Sequence, residues 1–360
     1  MRRSSVLGCV ALLTVASEDS SAQLRKLSEV LVHPSEGIES VELAGRFAIV
    51  STRSNGLQVF VNVRDPLNPF VCPTSGYDPL YGDIFGESLY YDGLGGHLFT
   101  GHRFGGLTMN DVSTPCASVF PTSEAWTRYM HEGLDVWSDG VDHFLFYGEH
   151  PSGGSQGGLR IYDIGAGALN EVGTSLNPTG GQLDGGDLVV SPDGNWCYQI
   201  CPRGIQPGPF TTLVVYDVSD KAAPAFVTSV DIPGQTLAFD AELVYSAKTE
   251  TLFLAMYGGG LFRADVSTPG APVIERMFAS FPGFSFQEVE LYNDTILLLD
   301  VDQNQRGHLV AVNVTDPSAP LILGMHTVGG RISDVKVQDG LTYVTVRDSA
   351  TDQRRLQIWM

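Results

Sequence analysis

The stretch Gly260-Leu261-Phe262-Arg263-Ala264-Asp265-Val266-Ser267-Thr268-Pro269 decides the fold, because it recurs in altered form along the whole chain. Its relatives begin at Gly56-Leu57-Gln58-Val59-Phe60-Val61-Asn62-Val63, Gly106-Leu107-Thr108-Met109-Asn110-Asp111-Val112-Ser113 and Gly158-Leu159-Arg160-Ile161-Tyr162-Asp163-Ile164. Further copies are Leu213-Val214-Val215-Tyr216-Asp217-Val218-Ser219, Leu309-Val310-Ala311-Val312-Asn313-Val314-Thr315 and the stub Leu356-Gln357-Ile358-Trp359. The anchor leucines stand at 57, 107, 159, 213, 261, 309 and 356, spaced by 50, 52, 54, 48, 48 and 47 residues. Seven copies at that period are the signature of propeller blades rather than of a solenoid.

Each copy reads as four strands. An early strand such as Ser40-Val41-Glu42-Leu43 or Asp334-Val335-Lys336-Val337 is followed by a turn, often Asp-Gly as at 92–93, 139–140, 193–194 and 339–340, the pair that tight hairpins favour. An apolar second strand follows, then the anchor strand. The Asp/Asn-Val-Ser/Thr-x-Pro segment turns the chain, with proline fixing φ and the Asp or Ser side chain bonding nearby backbone. A fourth strand such as Pro224-Ala225-Phe226-Val227 completes the blade. No stretch sustains a 3.6-residue period, so helices are expected to be few.

These copies resemble the LVIVD repeat, whose typical form is Gly-Leu-x-Ile-x-Asp-Val-Ser-x-Pro-x-x-Pro. The match is strong at Gly260 to Pro272 and at Leu309 to Pro320 and looser around Leu159. Kelch repeats have a similar length but place their glycines at the end of the second strand, and four Trp in the chain are too few for seven Kelch blades. The resemblance implies an all-β, seven-bladed propeller of four-stranded antiparallel blades over residues 23–360. The last copy ends on its third strand, so Leu27-Ser28-Glu29-Val30-Leu31-Val32-His33 is expected to supply the missing outer strand and close the ring. No activity is characteristic of the repeat, so the resemblance points to a binding scaffold.

Composition narrows the partners. Asp and Glu number 41 against 21 Lys and Arg, a formal charge of −20. Such a field repels phosphate backbones and anionic headgroups, which excludes nucleic acid and leaves protein, polar small-molecule or saccharide ligands, with the chain itself a monomer. Residues 1–22 read as a signal peptide: Arg2 and Arg3 precede the apolar run Val6 to Ala16, too short to span a bilayer, and the small residues that follow suit cleavage after Ser17 or, at Ser20-Ser21-Ala22, before Gln23. Val6-Leu7-Gly8-Cys9 resembles a lipobox but precedes the apolar run, so secretion or periplasmic export without a lipid anchor at Cys9 is the expectation. Removing Cys9 leaves four cysteines in an oxidising compartment, all disulfide candidates. Cys72 and Cys116 each follow a repeat motif in neighbouring copies and can pair. Cys197 and Cys201 on one continuous strand would stand ~13 Å apart, beyond bridging reach unless the chain turns, so buried free thiols compete with a bridge there.

In a propeller the innermost strands begin near one face, where the loops between second and third strands also emerge. Candidate ligand-binding residues at that mouth are Arg53, His102, Arg103, His131, Glu132, His150, Asp187, Arg203, Glu242, Glu288, Asp334 and Arg347. Acidic and basic groups interleaved around a concavity bind polar ligands, and a histidine beside a carboxylate, as at His131-Glu132, can act as a base near neutral pH. An extracellular hydrolase or lyase is therefore the competing reading. Asp300, Asp302 and Asn304 space oxygens as the opening of a calcium loop does, although a glycine at the sixth position and a glutamate at the twelfth are missing. Apart from that calcium candidate, no cofactor is implied. Gly153-Gly154-Ser155-Gln156-Gly157 has the letters of a nucleophile elbow but leads into a strand, not a helix.

Overall fold

The computed structural model describes residues 24–33, 38–52, 58–73, 86–93, 96–102, 106–114, 116, 121–125, 130–149, 157–176, 186–201, 210–236, 241–256, 259–278, 284–293, 295–302, 306–348 and 351–360. Among them there is no helix. Strand β1 (Lys26–His33) is followed by four strands per blade. Blade one holds β2 (Ile38–Ala44), β3 (Phe47–Thr52), β4 (Gln58–Asn62) and β5 (Phe70–Val71). Blade two holds β6 (Gly86–Asp92), β7 (His97–His102), β8 (Gly106–Asp111) and β9 (Pro121–Ala125). Blade three holds β10 (Met130–Ser138), β11 (His143–Glu149), β12 (Gly158–Asp163) and β13 (Asn170–Leu176). Blade four holds β14 (Leu188–Val190), β15 (Trp196–Cys201), β16 (Phe210–Asp217) and β17 (Ala225–Thr236). Blade five holds β18 (Ala241–Ser246), β19 (Thr251–Met256), β20 (Gly260–Asp265) and β21 (Val273–Phe278). Blade six holds β22 (Phe284–Tyr292), β23 (Thr295–Asp302), β24 (Gly307–Asn313) and β25 (Leu321–Thr327). Blade seven holds β26 (Arg331–Gln338), β27 (Leu341–Arg347) and β28 (Arg354–Trp359), with β1 on its outer edge.

All seven sheets are antiparallel and four-stranded in the order the repeat predicts. β1 pairs with β28 from Lys26 opposite Trp359 to His33 opposite Arg354, so the first strand of the chain completes the last blade. The innermost strands touch in the cyclic order β2, β6, β10, β14, β18, β22, β26 and again β2.

The repeat's anchor positions are the core. Leu107, Leu159, Leu213, Leu261, Leu309 and Leu356 are all fully buried. The buried apolar side chains form seven clusters, each shared by two adjacent blades. One joins Leu213 and Ile200 of blade four to Leu254 and Phe262 of blade five, and another joins Leu356 of blade seven to Val50 and Val59 of blade one. A single blade has no second layer of its own, so its apolar faces are satisfied by its neighbours, and the ring is the unit that folds.

The turns follow from the motif's side chains. Asp111, Asp217 and Asp265 each accept the backbone N–H of the serine two residues on, at 2.8, 3.0 and 3.0 Å, and Asn313 accepts that of Thr315 at 2.9 Å. This is the Asx turn, which explains why the motif needs Asp or Asn there. Asp339 and Gly340 both have positive φ, 54° and 75°, as a two-residue hairpin between right-twisted strands requires. At Gly194 the need is doubled: φ is +71°, and a Cβ would lie 2.3 Å from the Trp137 ring. That ring carries the Lys221 ammonium 4.7 Å from its centroid, while Lys221 donates to the Gly194 carbonyl at 2.7 Å, so blades three and four are pinned by a cation–π contact.

Cys72 and Cys116 are disulfide-bonded, with Cα atoms 5.1 Å apart, and tie blade one to blade two. Cys197 and Cys201 are not bridged. Both are buried free thiols, which corrects the expectation that they too are disulfide candidates. They lie on β15, which runs straight through both positions and keeps them a strand's length apart. Opening the 44-residue loop closed by Cys72 and Cys116 removes an entropic constraint on the unfolded chain worth about 4 kcal/mol. The Cys72→Ser/Cys116→Ser double variant is therefore expected to unfold at a clearly lower denaturant concentration. An unchanged midpoint at unchanged m-value would show that the bridge constrains nothing.

Candidate functional site in the channel wall

The innermost strand of a blade pairs on one side and leaves backbone N–H groups on the other, and these face the next blade and the central channel. Carboxylates meet them at four blade boundaries, between blades seven and one, three and four, four and five, and five and six. Asp334 on β26 accepts the N–H of Val335 at 2.6 Å and, across the blade boundary, that of Val41 on β2 at 2.7 Å. Asp135 on β10 accepts Val136 N–H at 2.8 Å and Val190 N–H of β14 at 2.7 Å. Asp187, just before β14, accepts Leu188 N–H at 2.8 Å and Leu243 N–H of β18 at 3.0 Å. Glu242 on β18 reaches Val289 N–H of β22 at 3.4 Å. Each aspartate uses one oxygen on its own strand or side and one on the neighbour, and Glu242 reaches the neighbour alone, so the carboxylates stitch inner strands together around the channel.

Glu42 on β2, whose own carboxylate accepts Leu43 N–H at 2.9 Å, and Glu290 on β22 add two more acids to the wall. Lys336 on β26 is the cation in their midst: its ammonium stands 3.6 Å from Glu290, and it also interacts with Glu42, Glu242 and Asp334. The Tyr90 hydroxyl on β6 donates to Asp135.

Crowding of acids away from bulk water governs their titration. Burial pushes Asp334 up to about 8, with the Glu242 charge adding to the rise and Lys336 and the two N–H donors opposing it. Burial likewise raises Glu42 to about 7 against the pull of Lys336, and Asp135 to about 6 against its backbone donors and Tyr90. Asp187 is raised by burial and then by the neighbouring Glu242, and Glu290 by burial despite Lys336. The Lys336 ammonium is held well above its ordinary value because four carboxylates outweigh its own burial. The wall thus retains protons near neutral pH, and Lys336 stays charged.

Of the candidate ligand residues, Asp187, Glu242 and Asp334 come together in this wall. Glu288 is half-buried on β22, opposite Leu299. Arg347 ends β27 and is held outside the wall by Asp352 at 2.7 Å. The backbones of His102, His131 and Glu132 lie in β7 and β10 and those of Asp300 and Asp302 in β23, while their side chains lie outside the described residues. Arg53, Arg103, His150, Arg203 and Asn304 lie outside the described residues altogether, as do the signal-peptide residues 1–22. Among the described residues no three His, Cys, Asp or Glu side chains are grouped as a metal would need. Glu42, Tyr90, Asp135, Glu290 and Lys336 escaped the sequence reading. A readable signal was present: an acid set between apolar neighbours in an inner strand, as in Val41-Glu42-Leu43, Leu134-Asp135-Val136, Ala241-Glu242-Leu243 and Val289-Glu290-Leu291.

The family model of the LVIVD repeat matches residues 210–232, which are β16, its Asx turn and most of β17. The chain is a β-propeller that carries an LVIVD repeat. Among solved structures, the chain is similar to the hydrazine synthase of Kuenenia stuttgartiensis, with a TM-score of 0.66 at 10% identity over 89% of this chain and 95% of that one. It is also similar to a hypothetical selenium-binding protein from Sulfolobus tokodaii, with a TM-score of 0.60 at 11% identity over 81% of this chain and 80% of that one. At those identities the likeness concerns the fold alone. No curated protein matches the sequence. Among the described residues, no helix of the propeller is long and apolar enough to cross a membrane.

Proposed function

We propose that this propeller is an exported, non-catalytic binding scaffold that offers one polar mouth of its channel to a saccharide, another polar small molecule or a protein. The observation that carries this reading is the commitment of the channel carboxylates. Asp135, Asp187, Glu242 and Asp334 spend their oxygens on backbone N–H groups of adjacent inner strands. A general acid or base must be free to exchange a proton with a substrate, and a residue that fastens two blades together is poorly placed to do so. The leader-like N-terminus and the Cys72–Cys116 bridge support an oxidising destination.

The exported chain should show saturable binding on glycan or peptide arrays and no turnover of chromogenic glycosides or esters. The double variant Arg53→Ala/Arg203→Ala, at two positions that the repeat in the sequence assigns to the mouth, should weaken the strongest array ligand by about tenfold or more, as loss of anchoring arginines does. Turnover that disappears in Glu242→Gln while the fold is retained would sink the scaffold reading and establish the channel as an active site.

A further inference from the structure

The mouth end of blade seven carries a row of like charges. Arg331 on β26 stands opposite Arg347 on β27, and Arg347 stands opposite Arg354 on β28. Residues opposite one another in an antiparallel pair share a sheet face, where like charges repel. In blades two, three and five the last rung of the same three strands carries one ionisable residue, His102 or Glu149, or none. Three arginines in one rung are a concentration of positive charge in a chain of net charge −20. Asp352 offsets part of it, accepting from Arg347 Nε at 2.7 Å and from Arg354 Nη1 at 3.0 Å. Asp352 does so at φ +60°, a conformation that residues other than glycine rarely adopt. Arg354 is buried, whereas Arg331 and Arg347 are exposed. Among the described residues Arg331 has no side-chain partner, and Arg347 engages only its Nε, so both guanidinium forks are open to the mouth.

Strand alternation shows what the row faces. Tyr343 on β27 and Leu356 and Ile358 on β28 pack against Ala48 and Val50 of blade one. Arg347 and Arg354 stand an even number of residues from them and therefore face blade one as well. Thr52 follows Ala48 and Val50 on β3 by the same count and faces back toward blade seven. It is fully buried, and its Oγ1 has no hydrogen-bond partner among the described residues, an uncommon state for a buried hydroxyl. The seam between blades seven and one thus ends at the mouth in two open guanidinium forks and an unmet hydroxyl. We propose that this seam is the subsite for the carboxylate of a small polar ligand with a single negative charge, as a uronic acid has. This rests on the reading of the mouth as a binding face and gives that face a ligand class. A guanidinium fork matches the two oxygens of a carboxylate, and the Thr52 hydroxyl can donate to a further ligand oxygen. A second negative charge is rejected by Asp348 in the adjoining loop, by Asp334 deeper on the same face, and by the field of the whole chain.

Thermal unfolding of the purified exported chain with sodium galacturonate, glucuronate or lactate tests this, against galactose and against sodium chloride of equal ionic strength. At about 50 mM, where even a millimolar site is filled, at least one of the three carboxylates should raise the midpoint saturably by a few degrees, and galactose should not. Arg331→Gln should weaken that binding about tenfold, the loss of a charge-assisted pair, yet unfold without ligand at an equal or higher midpoint because one of the opposed charges is gone. Thr52→Val should also be at least as stable as wild type, having lost an unpaired buried hydroxyl, and bind several-fold more weakly. A merely structural role for either residue predicts lower stability instead. Four results would overturn the proposal. One is no carboxylate exceeding sodium chloride, and another is a rise that persists in Arg331→Gln. A third is a larger rise with polygalacturonate than with galacturonate at equal uronate concentration, which marks a polyanion surface. The last is array ligands that are all neutral and indifferent to Arg331→Gln, which leaves the scaffold reading standing, whereas silence on the arrays as well as in the unfolding assay removes both.

Discussion

Replacing Lys336 by methionine is expected to destabilise the propeller by about 3 kcal/mol at pH 8, the lower end of the cost of removing one partner from a buried ion pair. The lower end applies because the Lys336 side chain is 32% accessible and water in the channel screens it. The loss exceeds that of a surface ion pair because Glu42, Glu242, Glu290 and Asp334 all share this one ammonium. With it gone they face one another without a counter-charge, and like charges crowded together by the fold favour opening the ring. The effect should shrink at pH 5, where several of the carboxyls are protonated and have less need of a cation. Thermal or denaturant unfolding of Lys336→Met and wild type at both pH values checks this. Equal stabilities at pH 8 would mean that Lys336 is solvated in the channel and holds nothing.

Stability should also fall as pH rises from 5 to 8, opposite to the usual behaviour of carboxylates. The unfolded carboxyls titrate near 4, whereas in the fold Asp135, Glu42 and Asp334 are pushed to about 6, 7 and 8. The folded state therefore binds more protons than the unfolded chain between these limits. The stability these groups contribute is fully present below about pH 4 and is lost as pH climbs through 6 to 8. Exposed Asx-turn residues such as Asp65, Asp111, Asp217 and Asp265 are shifted the other way, by side-chain and backbone donors in the turn. Their share is present above about pH 4 and is lost on acidification. Solvent screening keeps it small, so the optimum should lie near pH 5. A loss of about 2–4 kcal/mol from pH 5 to pH 8, after the discount for water in the channel, corresponds to a drop of several degrees in the midpoint. Asp334→Asn keeps one oxygen for an N–H clasp and removes the charge, so it should flatten the profile. A midpoint that rises steadily from pH 5 to pH 8 would show that the wall carboxyls are fully ionised at neutrality.

These clasps mark where sequence reading stopped. Asp187, Glu242 and Asp334 were recognised as channel residues because they stand at the start of inner strands, but as ligand-binding groups rather than as ties between blades. Their second partners, Leu243, Val289 and Val41, are 56, 47 and 293 residues away, and no local pattern reports a contact at such separations. Asp135 and Glu290 were hidden for a related reason: in a strand with apolar neighbours an acid looks solvent-facing, whereas here it faces a channel shared by all seven blades. The free thiols of Cys197 and Cys201 teach the same lesson in reverse. Their spacing admitted a bridge only if the chain turned between them, and the pairing of β15 with β14 and β16 keeps it straight.

The sequence by itself determined the number of blades, the order of strands within each, the residue type at every Asx turn and the role of Leu27 to His33 as the last outer strand. Those features depend on short-range chemistry, alternation of apolar side chains and a fifty-residue period, all written locally. Which acids meet across the blade boundaries and how one lysine serves several of them were decided by tertiary structure. Only the ring places groups hundreds of residues apart within 3 Å, in a shared channel where their charges set one another's protonation.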